Sequence, residues 1–203
     1  MDDRKTFLIS MYDQLCHEMD RHIKIIWQIV GVLLSTFAIF ALVEKNIISI
    51  DIAASILIAV CGLAIAIIIE SNFWYNRNLV IVANIERQFL DVNDATEIHY
   101  YFTKHRKNNA YLDMMLIQMV FVGLILLIIT VYHFNQSILH AFSFNNTFDL
   151  SKSLPYIILA ITLISLYLFH RKRISDFNEF KSNSPGKTLE GVPEFESNSD
   201  HVT

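Results

Sequence analysis

Hydrophobic positions in this chain fall into four long blocks, at about residues 25–43, 52–69, 114–131 and 154–169, with polar and charged segments between them. About 20 apolar residues at a rise of 1.5 Å cover the roughly 30 Å of a bilayer's hydrocarbon core, so each block has about the length of one crossing. The pattern predicts an all-α integral membrane protein: four transmembrane helices, paired as two antiparallel hairpins, with cytosolic helical extensions. The chain is organised around the stretch from Asp51 to Leu90. Its first half, Ile52 to Ile69, is an almost unbroken apolar run, and no proline or glycine follows Glu70 to stop a helix. In the second half Leu79, Val82, Ile85, Phe89 and Leu90 recur at helical spacing, while Arg77, Asn78, Asn84, Arg87 and Gln88 take the other positions. This predicts one long helix that leaves the membrane and carries on into the cytosol.

The remaining segments fit around that helix. Residues 1–24 read as a cytosolic amphipathic helix, with Phe7, Met11, Leu15 and Met19 four apart and Leu8, Tyr12 and Cys16 beside them. No breaker separates this segment from the first apolar block, which predicts a single helix through both; an interfacial helix bent near Arg21 is the alternative. The short turn from Glu44 to Asp51 pairs the first two spans, giving a hairpin over 25–69. Gly31 and Ser35 on one span, and Ser55, Ala59, Gly62 and Ala66 on the other, are small enough to let backbones approach. Residues 70–113 form a cytosolic helical region, in which Asp94 and Glu97 fit a capping box ahead of a short helix through His99–Phe102. A second hairpin occupies 114–169, its connection running from His133 to Ser153 and holding glycosylation-type tripeptides at Asn135 and Asn145. Residues 170–203 are a basic flank followed, from about Ser182, by a disordered tail.

Composition agrees with a membrane protein: 53% of the 203 residues are hydrophobic and mean hydropathy is +0.39. The net charge of −4 conceals an asymmetry that fixes orientation. Arg4, Lys5, Arg21 and Lys24 precede the first span; Arg77, Arg87, Lys104, Arg106 and Lys107 separate the second from the third; Arg171, Lys172, Arg173, Lys181 and Lys187 follow the fourth. Only Lys45 and Lys152 lie in the other two connections. The positive-inside rule then places both termini and the central region in the cytoplasm. Such a balance does not suggest direct nucleic-acid binding. Cys16 and Cys61 sit in different settings and are not expected to pair, and no cleavable signal peptide is expected ahead of the first block.

Candidate chemistry is sparse. His17 and His22 are five apart, about 140 degrees round a helix, whereas a zincin pair needs a spacing of four. His99 and His105 lack cysteine or carboxylate partners at ligand spacing, and His133, His140 and Asp149 share the outer connection without a recognisable metal pattern. There is no glycine-rich phosphate loop and no nucleophile elbow. No catalytic residue, metal or cofactor is expected. The spans carry no ionisable residue well inside them, which disfavours an ion-coupled transporter. Gln28, Ser35, Thr36, Ser55, Gln118, Thr130, Thr162 and Ser165 either line a narrow polar path in an assembly or hydrogen-bond locally. The distinctive block is Phe73-Trp74-Tyr75-Asn76-Arg77-Asn78 after the second span. Trp27, Glu70, Phe73, Trp74, Tyr75 and Arg77 are the candidate membrane-interface or coupling residues, either anchoring helices at the headgroups or passing movement to the second span.

The tract FWYNRNLVIVANIERQFL, with two membrane hairpins joined by cytosolic helices, resembles small multi-span membrane effectors of bacterial anti-phage systems, including retron-, CRISPR- and nucleotide-signal-associated proteins. The resemblance covers the chain to about Phe169 as architecture, and only that tract as sequence. It implies a non-enzymatic protein of the cell inner membrane, oligomeric in the lipid bilayer, which disrupts membrane integrity when a separate cytosolic sensor protein detects infection. The rival expectations are a membrane-anchored scaffold whose cytosolic helices recruit a partner, and a small transporter.

Overall fold

The computed structural model describes residues 3–86, 88–90, 113–139 and 150–183. The capping box at Asp94, the helix through His99–Phe102, the sequon at Asn145, His140, Asp149 and the tail beyond residue 183 lie outside the described residues. Among the described residues the regular elements are all helical: α1 (Asp3–Thr36), α2 (Ala38–Glu44), α3 (Ile50–Glu86), α4 (Asp113–His133), which continues as one π-helical turn (Phe134–Ile138), and α5 (Leu150–Asn183). Four helical stretches are long and apolar enough to cross a membrane, which marks a multi-pass membrane protein.

The chain divides into two compact units. One comprises Met1–Ile23, Asn72–Tyr111 and Ile174–Thr203; the other comprises Lys24–Ser71 and Leu112–Arg173. The second holds the apolar blocks, and α3 is its centre: 56% of that helix's most apolar stretch is buried, against 33% for α4, 11% for α1–α2 and 6% for α5. Ala53, Leu57, Ile58, Cys61 and Ile68 of α3 pack in this core, with Leu33, Val122 and Ile129 from its neighbours also buried. On the rims, Ile128 of α4 is 65% exposed and Ile164 of α5 61%. Such surfaces are costly in water and acceptable in lipid, where tails are as apolar as leucine. Gly62 sits where α3 meets α5: a side chain there would collide with the β-branched Thr162, whose rotamers have little room to yield.

Local chemistry explains the ends. α2 closes in a Schellman pattern, with the Ile47 N–H donating to the Leu42 carbonyl and the Asn46 N–H to Val43, both at 2.9 Å. Asn46 adopts the required left-handed backbone (φ 55°), which asparagine tolerates better than most residues. Ser49 then caps α3, its hydroxyl accepting the Ile52 N–H at 3.3 Å.

Several expectations are corrected. The first crossing is not a single regular helix. Ser35 and Thr36 hydroxyls donate back to the carbonyls of Gly31 (2.9 Å) and Leu33 (2.6 Å), and the ladder tightens to an i→i−3 bond from Phe37 to Leu34. Such back-bonding bends helices, and α1 gives way to α2 at this point. No break occurs near Arg21. α3 stops at Glu86, short of Leu90, as the Phe89 and Leu90 amides turn back to its last carbonyl. α4 and its π turn reach Ile138, so His133 belongs to the helix rather than to a connection. α5 keeps its helix through the basic flank to Asn183.

In the first unit the buried stripe of α1 keeps Leu15 and Met19 of the expected one, with Tyr12 and Cys16 beside them, and drops its first residue. Phe7 is 66% exposed, whereas Met19 is buried with Leu79 and Val82, and Tyr12, Leu15, Cys16 and Tyr75 pack around them. Tyr12, Leu15, Cys16 and Met19 keep the i, i+3, i+4, i+7 spacing of a helix face. Asn78, expected on a polar face, is 2% exposed, and Asn72 and Asn76 are buried too. Asn76 repeats the side-chain amide ladder of the helix, its Nδ2 donating to the backbone oxygen (2.8 Å) and side-chain oxygen (3.0 Å) of Asn72.

Candidate functional site

Three polar constellations stand out, two in the apolar unit and one in the other. At the Asp51 end of the apolar unit, three helical segments converge on one imidazole. His133, 1% exposed, sets Nε2 2.8 Å from Asp51 Oδ1 and Nδ1 3.0 Å from the Tyr156 hydroxyl, and the Ser137 hydroxyl donates to the same Asp51 oxygen at 3.2 Å. A carboxylate only accepts, so Nε2 carries a proton. This wiring differs from a hydrolytic triad, in which the imidazole bridges the hydroxyl and the carboxylate. Here Asp51 is the shared acceptor, both ring nitrogens are engaged, and Ser137 has no base. Its chemistry is that of a tie between α3, the π turn and α5.

At the opposite end of the same helices, Glu70 and Arg173 form a two-toothed pair: Arg173 Nε and Nη2 donate to Glu70 Oε2 and Oε1 at 2.6 and 2.7 Å. The guanidinium also lies 5.3 Å above the Phe169 ring. Such fork-to-fork pairing fixes direction as well as distance, which a lysine would not do.

The third constellation lies in the other unit. Phe73 meets Trp74 edge-on (ring centroids 5.4 Å) and Phe177 edge-on (6.5 Å), and Phe177 stacks on Phe180. The Arg77 guanidinium lies 5.0 Å from the Trp74 ring centre and 5.3 Å from that of Phe180. The quadrupoles of both rings favour the cation, and the arrangement bolts α3 to α5 through aromatic faces.

Of the residues singled out in the sequence, Phe73, Trp74 and Arg77 come together in this cluster. Tyr75 turns to the Met19–Leu79–Val82 core instead, Glu70 holds Arg173, and Trp27 is 55% exposed on α1. Sequence reasoning missed Asp51, Ser137, Tyr156, Arg173, Phe177 and Phe180. A signal existed for the ends: Asp51 opens the second apolar block and His133 closes the third, so a two-way crossing puts them at one level. The span hydroxyls of Ser35, Thr36, Ser55 and Thr130 each donate to a carbonyl of their own helix, the local alternative to a polar path. His17 is exposed and His22 is buried, and among the described residues no three metal-ligating side chains cluster.

Outside the spans, Tyr12 and Glu86 share a hydrogen bond of 3.3 Å. Burial, then the nearby Glu86 carboxylate, pushes the Tyr12 hydroxyl up to about 12. Burial likewise raises Glu86 above the ordinary carboxylate value, against the opposing bond from Tyr12. Compared with known proteins, the chain matches no family model, no curated protein and no solved structure.

Proposed function

We propose that this chain is a non-enzymatic protein of a bacterial inner membrane, with both termini in the cytoplasm, which assembles as an oligomer and perturbs the membrane in response to a cytosolic partner. One observation supports this reading above others: α3 runs unbroken from Ile50 to Glu86, through Ser71 and Asn72 where the two units divide. An apolar crossing and an amphipathic extension are thus one helix, so force or rotation applied to the extension has a covalent, hydrogen-bonded route into the crossing. The anti-phage setting comes from the resemblance of the tract after Glu70. The scaffold reading draws on the separate core around Met19, Leu79 and Val82, which gives the extension a surface of its own.

Inducible expression in bacterial cells with a potential-sensitive dye separates the two. The effector reading expects depolarisation on activation, and loss of it in Asn72→Pro, because a proline inside a helix costs about 3 kcal/mol and breaks the ladder. Membrane-fraction immunoblotting confirms that the variant is inserted at the same level. Full polarisation in every activating condition overturns the effector reading and leaves the scaffold.

A further inference from the structure

Among the arginines of the described residues, all but Arg77 spend guanidinium N–H groups on a side-chain oxygen. Arg4 donates to Gln88, Arg21 pairs with Glu18, Arg171 donates to the Tyr167 hydroxyl, and Arg173 forks onto Glu70. Arg77 instead makes its contacts with aromatic faces, Trp74 at 5.0 Å and Phe180 at 5.3 Å, and no oxygen among the described residues accepts from it. The rings that hold it are themselves braced, since Phe73 meets both Trp74 and Phe177, and Phe177 stacks on Phe180. Contacts to two helices thus fix the half-buried guanidinium in place while its edge stays unfilled. That edge carries N–H donors in a planar fork that matches two oxygens of a phosphate. A donor ordered in advance loses little further freedom when its acceptor arrives.

The level of this cation along α3 indicates where the acceptor comes from. Asp51 opens the apolar run of that helix. About 20 residues at a rise of 1.5 Å then cover a hydrocarbon core of roughly 30 Å, which brings its far edge close to Ser71. Trp74 lies three residues on, about 4.5 Å further along the axis. Side chains of a helix lean toward its N-terminus, so Arg77 reaches back over the preceding turn onto Trp74 rather than onward into water. A bilayer's headgroup layer is about 5–8 Å deep on each side. The unfilled fork therefore stands at the depth of the lipid phosphates.

We propose that Arg77, held by Trp74 and Phe180, is a receptor for a phosphate group, and that the phosphate belongs to a lipid headgroup in the leaflet on the Glu70 side. Two guanidinium N–H groups donate to two phosphate oxygens, which fastens the start of the α3 extension to the bilayer surface. Inorganic phosphate offers the same oxygens but is not concentrated at this depth. The site rests on the multi-pass architecture and not on the effector reading, which is judged by membrane potential.

Trp74 supplies the readout, because Trp27→Phe leaves it as the sole tryptophan of the full chain. That chain, in an uncharged detergent, is titrated with dihexanoyl phosphatidylglycerol, with a phosphate-free galactosyl diacylglycerol of the same chain length, and with inorganic phosphate. The expected result is a saturable change in Trp74 emission with the phospholipid and none with the other two. Arg77→Lys keeps the charge but loses the planar fork, and should raise the phospholipid midpoint on the order of tenfold. Arg171→Lys, whose native edge already meets Tyr167, leaves the midpoint where it was. The comparison of the two lipids uses the native Arg77 and so does not depend on that variant folding. A response to inorganic phosphate at the same concentration overturns the lipid source. Equal responses to the two lipids, or an unchanged midpoint in Arg77→Lys, overturn the receptor itself.

Discussion

Tyr12 and Glu86 illustrate how single residues set this protein's response to solution conditions. Glu86 has a raised pKa because burial penalises its carboxylate, so the folded unit binds a proton that the unfolded chain, with a value near 4.5, has already released. Stability from this group is complete below the unfolded value and lost as pH rises through the folded one. Tyr12 acts in the same sense much higher, its contribution fading as pH climbs from 10 through about 12. Thermal melting of the detergent-solubilised chain should therefore show a higher midpoint at pH 5 than at pH 7.5, and Glu86→Gln should flatten that slope while keeping an acceptor for Tyr12. A slope that survives the substitution would remove Glu86 as its source. At this scale the sequence is least legible. Asn78 carries a polar side chain at a position that looks solvated, yet it is 2% exposed, because burial is decided by packing between elements and not by local spacing. Local spacing marks Leu15 and Met19 together with Tyr12 and Cys16 beside them, but does not say that the stripe's first residue, Phe7, stays exposed.

At the scale of elements much more was legible, for a physical reason. A helix that crosses lipid must satisfy its backbone internally and present apolar side chains over its whole length, so the four blocks announce themselves without any partner. The corrections fall where that constraint ends. His133 looks like the start of a loop because it terminates an apolar run, but a half-buried acceptor, Asp51, meets its ring and the helix runs on through its π turn. Phe37 lies inside an apolar block, yet hydroxyls on Ser35 and Thr36 break the regular ladder there. The Asp51–His133–Tyr156 tie predicts a measurable effect. Asp51→Ala leaves the His133 ring and the Ser137 hydroxyl without their acceptor, at a cost of about 1–3 kcal/mol for an unsatisfied buried group. Asp51→Asn, which retains an acceptor oxygen, should cost less. Thermal melting of the solubilised chain reports the difference as a lower midpoint in the alanine variant; equal midpoints in both would dissolve the tie.

For the whole molecule, the same charges that flank the crossings set a testable topology. With Cys16 and Cys61 replaced, a cysteine at Lys45 should react with a membrane-impermeant maleimide in intact cells, and one at Lys181 only after permeabilisation. The reverse pattern would invert the orientation and with it the side from which any partner acts. The connection between α3 and α5 carries a last consequence. These helices are held at three heights: through His133 between Asp51 and Tyr156, by close approach at Gly62 and Thr162, and by the Glu70–Arg173 fork. Slippage of one past the other by a single turn, about 5.4 Å, would unfasten all three together. A piston stroke between them would therefore cost three contacts at once rather than one.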